Sequence, residues 1–358
     1  MLSEIGSNFW ISPEQMNAPV SDIDIAMFSI HAADFVWLSS CRSAISLAIE
    51  NIESRKPQHK KIAILPAYTC ETVVEPFLKR QYETNFFSLD TELKIDPTQL
   101  LNLCEKGANG IVLFHRYFGF DTLFNIDKIL DQIKKYNISI IEDRTQCLYS
   151  ETSPLDADFW VGSIRKWCGV ADGGFLASKE GLIKNKPVCS DSVLEQKKIT
   201  ASLMKYRYLF QNEGDKSDYL AMYREAENIL DLQKEAYKIA PVSNIIQNSL
   251  DIENMKKARR NNYQYVKENC QARPLFENFY ETVTPLYYPI VVADRKSLQE
   301  YLRSSSIYAP IIWPKADFIN DKSCDQMYRE MLCLPIDQRY DLDDMERMVK
   351  AVNSFMNL

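Results

Sequence analysis

The sequence predicts an α/β fold: a large domain with a mostly parallel central sheet sandwiched by helices, then a small C-terminal α+β domain. Three observations carry this reading. Short β-branched or aromatic runs recur through the first half, and most are apolar without alternation, as strands covered on both faces are. Helical patterns separate them. After about residue 190 the alternation stops, and long polar, mainly helical stretches take over.

The elements follow in order. Lys61–Leu65 (KIAIL) reads as a buried strand stopped by Pro66, and Asn85–Leu89, Gly110–Phe114 and Ile138–Ile141 read as three more. Phe159–Val161 and Gly174–Ala177 are shorter candidates. Ser43–Ile52 places Ala44, Ile45, Ala48, Ile49 and Ile52 on one helical face. Thr72–Lys79 is a shorter helix, and Asn125–Tyr136 spaces Ile126, Ile129, Leu130 and Ile133 helically. Residues 191–238 read as mainly helical, and 241–270 as one long helix. Pro285–Val292 reads as a strand, Lys296–Ser304 as a helix, Tyr308–Trp313 as a strand and Asp343–Met356 as a helix. The expected large domain is 15–240. The small domain is 241–358 together with residues 1–14.

Composition bounds the function. The chain has 358 residues, 46% hydrophobic and 25% charged, enough for a sizeable core. A net charge of −7 argues against nucleic acid as the main partner. The short basic run Lys256, Lys257, Arg259, Arg260 reads as a solvated helix face. No apolar run is long enough to span a membrane, and the first residues lack a signal-peptide pattern, so the expected location is the cytoplasm. Nine cysteines without a CxxC pair, and only three histidines, assemble no zinc-ligand spacing.

Open α/β sheets bind ligands beyond the carboxyl ends of their strands. Five segments sit there. Asp143 and Gln146 lie in IIEDRTQ, where an acid alone is most often a cap or a surface residue. Ser163 and Lys166 lie in SIRK, before Asp172-Gly173-Gly174. Lys166 is a surface lysine by default, but its apolar flanks would make burial costly unless it is functional. Ser39-Ser40-Cys41-Arg42-Ser43 opens a helix, which suits either an anion or an ordinary serine cap. Pro66–Cys70 and His115–Gly119 offer aromatic and polar groups that core packing explains equally well.

In order, SSCRSAI, LPAYTC, HRYFGF, IIEDRTQ and SIRKWCGVADGGF resemble the DegT/DnrJ/EryC1/StrS sugar aminotransferases, within the fold-type-I enzymes that use pyridoxal 5'-phosphate (PLP). The resemblance runs from about residue 35 to 178 and resumes faintly at PLYYPIVV, IYAPIIWP and LPIDQRYDLDDM. It implies that Lys166 binds the cofactor covalently as a Schiff base and shuttles a proton. It implies that Asp143 pairs with the pyridine nitrogen, so the ring can absorb carbanion charge. Gln146 falls near the ring hydroxyl, and Ser40, Cys41, Arg42 and Ser163 at the phosphate. The family's usual stacking aromatic falls at or beside Cys70, and Tyr68 is the candidate. The implied reaction is transfer of an amino group from a glutamate-like donor to a keto acceptor such as a nucleotide-linked keto-sugar. Arg116 and Arg339 are candidate anion partners, with a helix-flanking surface residue the preferred reading of Arg339, and a homodimer with its site at the interface is expected.

Two departures mark the chain as divergent. Serine and lysine stand three apart rather than five. The segment PVSNIIQNSLDIENMKKARRNN replaces a motif rich in Gly, Asn, Tyr, Arg and Met. Cys70, Cys147 and Cys168 keep a lyase or desulfurase reaction open as the alternative. A non-catalytic protein of this fold ranks lower, because Lys166 and Asp143 are both present.

Overall fold

The structure, a computed structural model, describes residues 4–17, 25–28, 30–123 and 126–357. Asn125, expected to open a helix, and residues 1–3 of the N-terminal segment lie outside these. The strands in chain order are β1 (Ile5–Gly6), β2 (Asp34–Leu38), β3 (Ile62–Pro66), β4 (Glu83–Phe87), β5 (Ile111–His115), β6 (Ser139–Asp143), β7 (Phe159–Ser163), β8 (Gly174–Ser178), β9 (Tyr288–Val291), β10 (Ile307–Tyr308) and β11 (Met331–Leu334). The helices are α1 (Cys41–Arg55), α2 (Glu71–Lys79), α3 (Pro97–Lys106), α4 (Asp127–Lys135), α5 (Ser192–Gln211), α6 (Lys216–Leu232), α7 (Pro241–Asn248), α8 (Ile252–Asn269), α9 (Arg295–Ser304), α10 (Asp325–Glu330) and α11 (Leu342–Met356).

The chain forms two compact units. The first comprises Met1–Ser7, Lys56–Ala157 and Ile252–Leu358. Its strands β6, β5, β3 and β4 stand side by side in that order, every pair parallel. Helices connect them, as parallel strands require. Asp96 starts α3 by accepting the Thr98 N–H at 2.9 Å, with Pro97 at the first helical position. Strands β9 and β11 form a separate antiparallel pair, and β1 pairs with β10.

The second unit comprises Asn8–Arg55 and Asp158–Asp251. Here β8 pairs with β2 and with β7, both antiparallel. The link from β7 to β8 is ten residues without an α-helix, shorter than a parallel crossover needs. Helix α1 packs on β7 and β8, and α5 and α6 pack as a helical hairpin.

Several elements differ from expectation. Residues 241–270 are two helices, α7 and α8, separated by Ser249-Leu250-Asp251. Of the expected strand Tyr308–Trp313 only Tyr308 falls in a paired strand, as the second residue of β10. Strand β2 and helix α3 went unread. Arg259 leaves the expected solvated face and is fully buried on α8. Its guanidinium donates to the carbonyls of Pro285 and Leu286 at 3.1 and 3.0 Å and to Gln338 at 2.9 Å, which makes that burial tolerable.

A buried charge network fixes the end of β6 in the first unit. Glu142 and Arg144 are 0% exposed and Arg116 is 2% exposed. Glu142 Oε1 accepts from Arg116 Nε at 2.9 Å and Arg144 Nη1 at 3.0 Å, and its Oε2 accepts the Leu155 N–H at 2.7 Å. Arg116 also bonds the half-exposed Asp121 and donates to the Ser153 carbonyl. Removing the central anion would leave the buried Arg144 without its carboxylate and Arg116 with the half-exposed Asp121 alone. Glu142→Gln should therefore cost about 3–5 kcal/mol in a thermal melt, against less than about 1 kcal/mol for Asp121→Asn. Equal, small losses would contradict this account.

Candidate functional site

In the first unit the candidates gather at neighbouring strand ends. Asp143 is the last residue of β6 and lies opposite His115, the last residue of β5. Its Oδ2 is 3.2 Å from His115 Nδ1, and its Oδ1 accepts the Thr145 N–H at 2.8 Å. His115 Nε2 is 2.7 Å from Thr69 Oγ1, in the loop after β3. Burial alone would push the Asp143 carboxyl up. The hydrogen bond and the charge of His115, followed by the hydrogen bonds from Thr145, outweigh it and hold the carboxyl below the ordinary aspartate value. Asp143 is thus a buried carboxylate that stays ionised.

Gln146 is buried on the same turn, and its amide oxygen accepts the Phe118 N–H at 2.7 Å. What it can offer a ligand is its NH2 group. Tyr68 is 1% exposed and packs against Tyr328, Trp313 and Tyr117 at centroid distances of 4.8, 5.0 and 5.9 Å. Trp313 is half-buried and also covers His115 at 5.8 Å.

In the second unit Ser40, Cys41, Ser163 and the DGG motif meet. The Gly173 N–H donates to the Ser39 carbonyl at 2.9 Å, and Ser163 Oγ donates to the Gly173 carbonyl at 3.0 Å. A Cβ on Gly174 would fall 2.2 Å from the Ser40 carbonyl carbon and 2.6 Å from the Cys41 nitrogen, so only glycine admits this approach. Ser40 Oγ accepts the Ser43 N–H at 3.1 Å and caps α1. Arg42 lies against Asp231 at 2.5 Å.

Lys166 ends a short 3-10 turn at the close of β7. The premise that its apolar flanks would bury it is overturned. Ile164 and Trp167 are buried, whereas Lys166 is exposed. The turn sends the apolar residues inward and the lysine out, so its burial supplies no argument for function. Its neighbour Arg165 pairs with Glu227, which also binds Lys198.

The two anion candidates are committed elsewhere. Arg116 serves the Glu142 network, and Arg339 makes a two-point pair with Asp337 at 2.7 and 2.9 Å. His115 and Thr69 were read within strand-end segments but not as site residues. Their signal, adjacency to the strand of Asp143, exists only once the strand order is known.

No protein-family model matches the sequence, and no curated protein matches it. Solved structures do match. PseC of Helicobacter pylori, described as an aminotransferase involved in the biosynthesis of pseudoaminic acid, aligns with TM-score 0.69 and 15% identity over 98% of each chain. The sugar aminotransferase CalS13 of Micromonospora echinospora aligns with TM-score 0.65 and 14% identity over 99% of each chain. A DegT DnrJ EryC1 StrS aminotransferase of Brucella abortus gives TM-score 0.61 and 13% identity over 97% of this chain and 91% of that one. The chain has the α/β fold of these aminotransferases along its whole length.

Asp172, in the DGG motif, supplies a pH test. It is 1% exposed, accepts the Ala240 N–H on both oxygens at 3.1 Å and accepts from Ser243 Oγ at 2.6 Å. Burial pushes its carboxyl up to about 7, against the pull of those bonds. The proton is held more tightly folded than unfolded, where aspartate titrates near about 3.9. Its contribution is therefore fully present below about pH 4 and lost as pH rises through about 7. Asp172→Asn should melt lower at pH 5, having lost an acceptor, but decline less toward pH 8. Parallel profiles would contradict the assignment.

Proposed function

We propose that this chain is a PLP-dependent aminotransferase, divergent from the DegT/DnrJ/EryC1/StrS sugar enzymes, that acts on a keto-sugar carried by a nucleotide. The observation that carries the reading is the whole-length likeness to proteins described as sugar aminotransferases. Each unit carries donors of the kind the cofactor would need: in the first a buried carboxylate whose value is held low and an amide NH2 on the same turn, in the second a glycine cradle against the start of α1.

When bound, PLP supplies a ring that absorbs the electron pair released at the amino-acid α-carbon. Asp143 would hold the ring nitrogen protonated, since an ionised partner favours the charged form. The Gln146 NH2 would donate to the ring hydroxyl. Ser40, Cys41 and Arg42 at the start of α1, with Ser163, would hold the phosphate through N–H and hydroxyl donors. Tyr68 is the stacking candidate. Lys166 Nζ would anchor the cofactor and then carry the proton from the α-carbon of the donor to the carbon that receives nitrogen. The donor is a glutamate-like amino acid, and the enzyme works in the cytoplasm as a homodimer. No helix among the described residues is long and apolar enough to cross a membrane.

The desulfurase alternative asks for an accessible thiolate. Burial pushes the Cys147 thiol up to about 11, and Cys168 is buried with its thiol on Gln247 at 3.2 Å. Both properties disfavour these two thiols, which leaves the half-buried Cys70, its Sγ 3.1 Å from Thr72 Oγ1, as the thiol that alternative would need.

Purified protein given PLP should show an absorption band near about 420 nm that is lost in Lys166→Ala. Glutamate should bleach that band, and a keto acceptor should restore it. A protein that takes up no PLP would overturn the reading, and one that binds PLP but ignores every amino donor would overturn the transamination.

A further inference from the structure

Four aromatic rings gather beside the Asp143–His115 pair in the first unit. Tyr68 follows β3, Tyr117 follows β5, Trp313 follows β10 and Tyr328 lies on α10. Tyr68 is their centre. The Tyr328, Trp313 and Tyr117 rings lie 4.8, 5.0 and 5.9 Å from it, and its carbonyl accepts from Tyr117 Oη at 2.6 Å. Tyr68, Tyr117 and Tyr328 are 1%, 2% and 5% exposed. A ring enclosed in this way has little face to give a ligand. Trp313 differs. It is half-buried, and it lies over His115 at 5.8 Å with the two planes 33° apart, whereas Tyr117 meets the same imidazole nearer edge-on, at 63°. Trp313 thus stands where the buried His115–Asp143 pair approaches solvent.

The indole is placed by fixed backbone on either side. Before it, the Ala309 carbonyl accepts from Gln299 Nε2 at 2.9 Å, and the Pro310 carbonyl accepts the Cys333 N–H at 3.1 Å. After it, Lys315 Nζ donates to the Asp321 carbonyl at 2.7 Å and to Asp325 Oδ1 at 2.6 Å. Asp321 in turn accepts from Ser88 Oγ, just beyond β4, at 2.8 Å. The ring is held at the strand ends before any ligand arrives, so little ordering is left to oppose binding.

A buried carboxylate with an indole close by suits a flat heteroaromatic cation. The carboxylate accepts its N–H, and the indole takes its face, for which tryptophan is the strongest of the aromatic side chains. We infer that Trp313, and not Tyr68, is the ring that packs on the face of a heteroaromatic cation whose N–H Asp143 accepts. Tyr68 is the buried floor that holds the indole in place. The choice of ligand rests on the PLP reading, since the ring of PLP with its nitrogen protonated is such a cation.

Full-length protein titrated with PLP tests this. The cofactor-free Trp313→Phe and Trp313→Leu variants are first melted to show that both fold. Trp313→Phe, which keeps a flat ring, should bind PLP within about threefold of the wild type, and Trp313→Leu about tenfold more weakly. Fluorotryptophan labelling gives a second readout. The chain has five tryptophans, and the fluorine signal of Trp313, identified by its loss in Trp313→Phe, should move as PLP is added. A Trp313 that only packed on Tyr68 would lower the melting temperature of Trp313→Leu but leave its PLP affinity at the wild-type value and the fluorine signal still. Either of those two results in a protein that takes up PLP would overturn this assignment alone. A wild type that takes up no PLP would overturn the cofactor reading, and the assignment with it.

Discussion

The in-register parallel pairing of β5 with β6 is the constraint on which the first unit's chemistry depends. It sets His115 opposite Asp143 and Phe114 opposite Glu142. One strand end thus carries two buried carboxylates with different tasks. Glu142 is spent on Arg116 and Arg144 and ties the segment after β6 to the sheet. Asp143 meets an imidazole instead of a guanidinium. A one-residue slip in this pairing would exchange the faces of all these side chains.

The second unit solves a separate problem with backbone in place of charge. Gly173 and Gly174 let the start of α1 come within contact distance of β8, and Ser163 closes on the same glycine carbonyl. The donors at the start of α1 are thereby placed by main-chain geometry, which side-chain substitution alone cannot supply. Asp172 anchors this loop to α7 through Ala240 and Ser243.

Much of this was legible in the sequence, for identifiable reasons. The runs KIAIL, GIVLF and ISII are apolar because their strands are buried, and each shows up within one or two residues of its expected place. β2 went unread because Asp34 and the exposed Phe35 break its apolar character. The break between α7 and α8 went unread because Ser249-Leu250-Asp251 contains neither glycine nor proline. The burial of Arg259 was invisible because its acceptors, Pro285, Leu286 and Gln338, lie far along the chain. Of the site, Asp143 and Gln146 stood out by their place after a strand. The Thr69–His115 support did not, since strand adjacency is a property of topology and not of local pattern. Lys166 was picked out partly for the wrong reason, its supposed burial.

The central claim is that Lys166 holds the cofactor. Protein incubated with PLP, reduced with borohydride, digested and examined by mass spectrometry tests it most directly. Reduction makes the lysine–cofactor bond permanent, and the account predicts a pyridoxyl group on the peptide containing Lys166 and none on that position in Lys166→Ala. A label on another of the chain's lysines, or none at all, would contradict it.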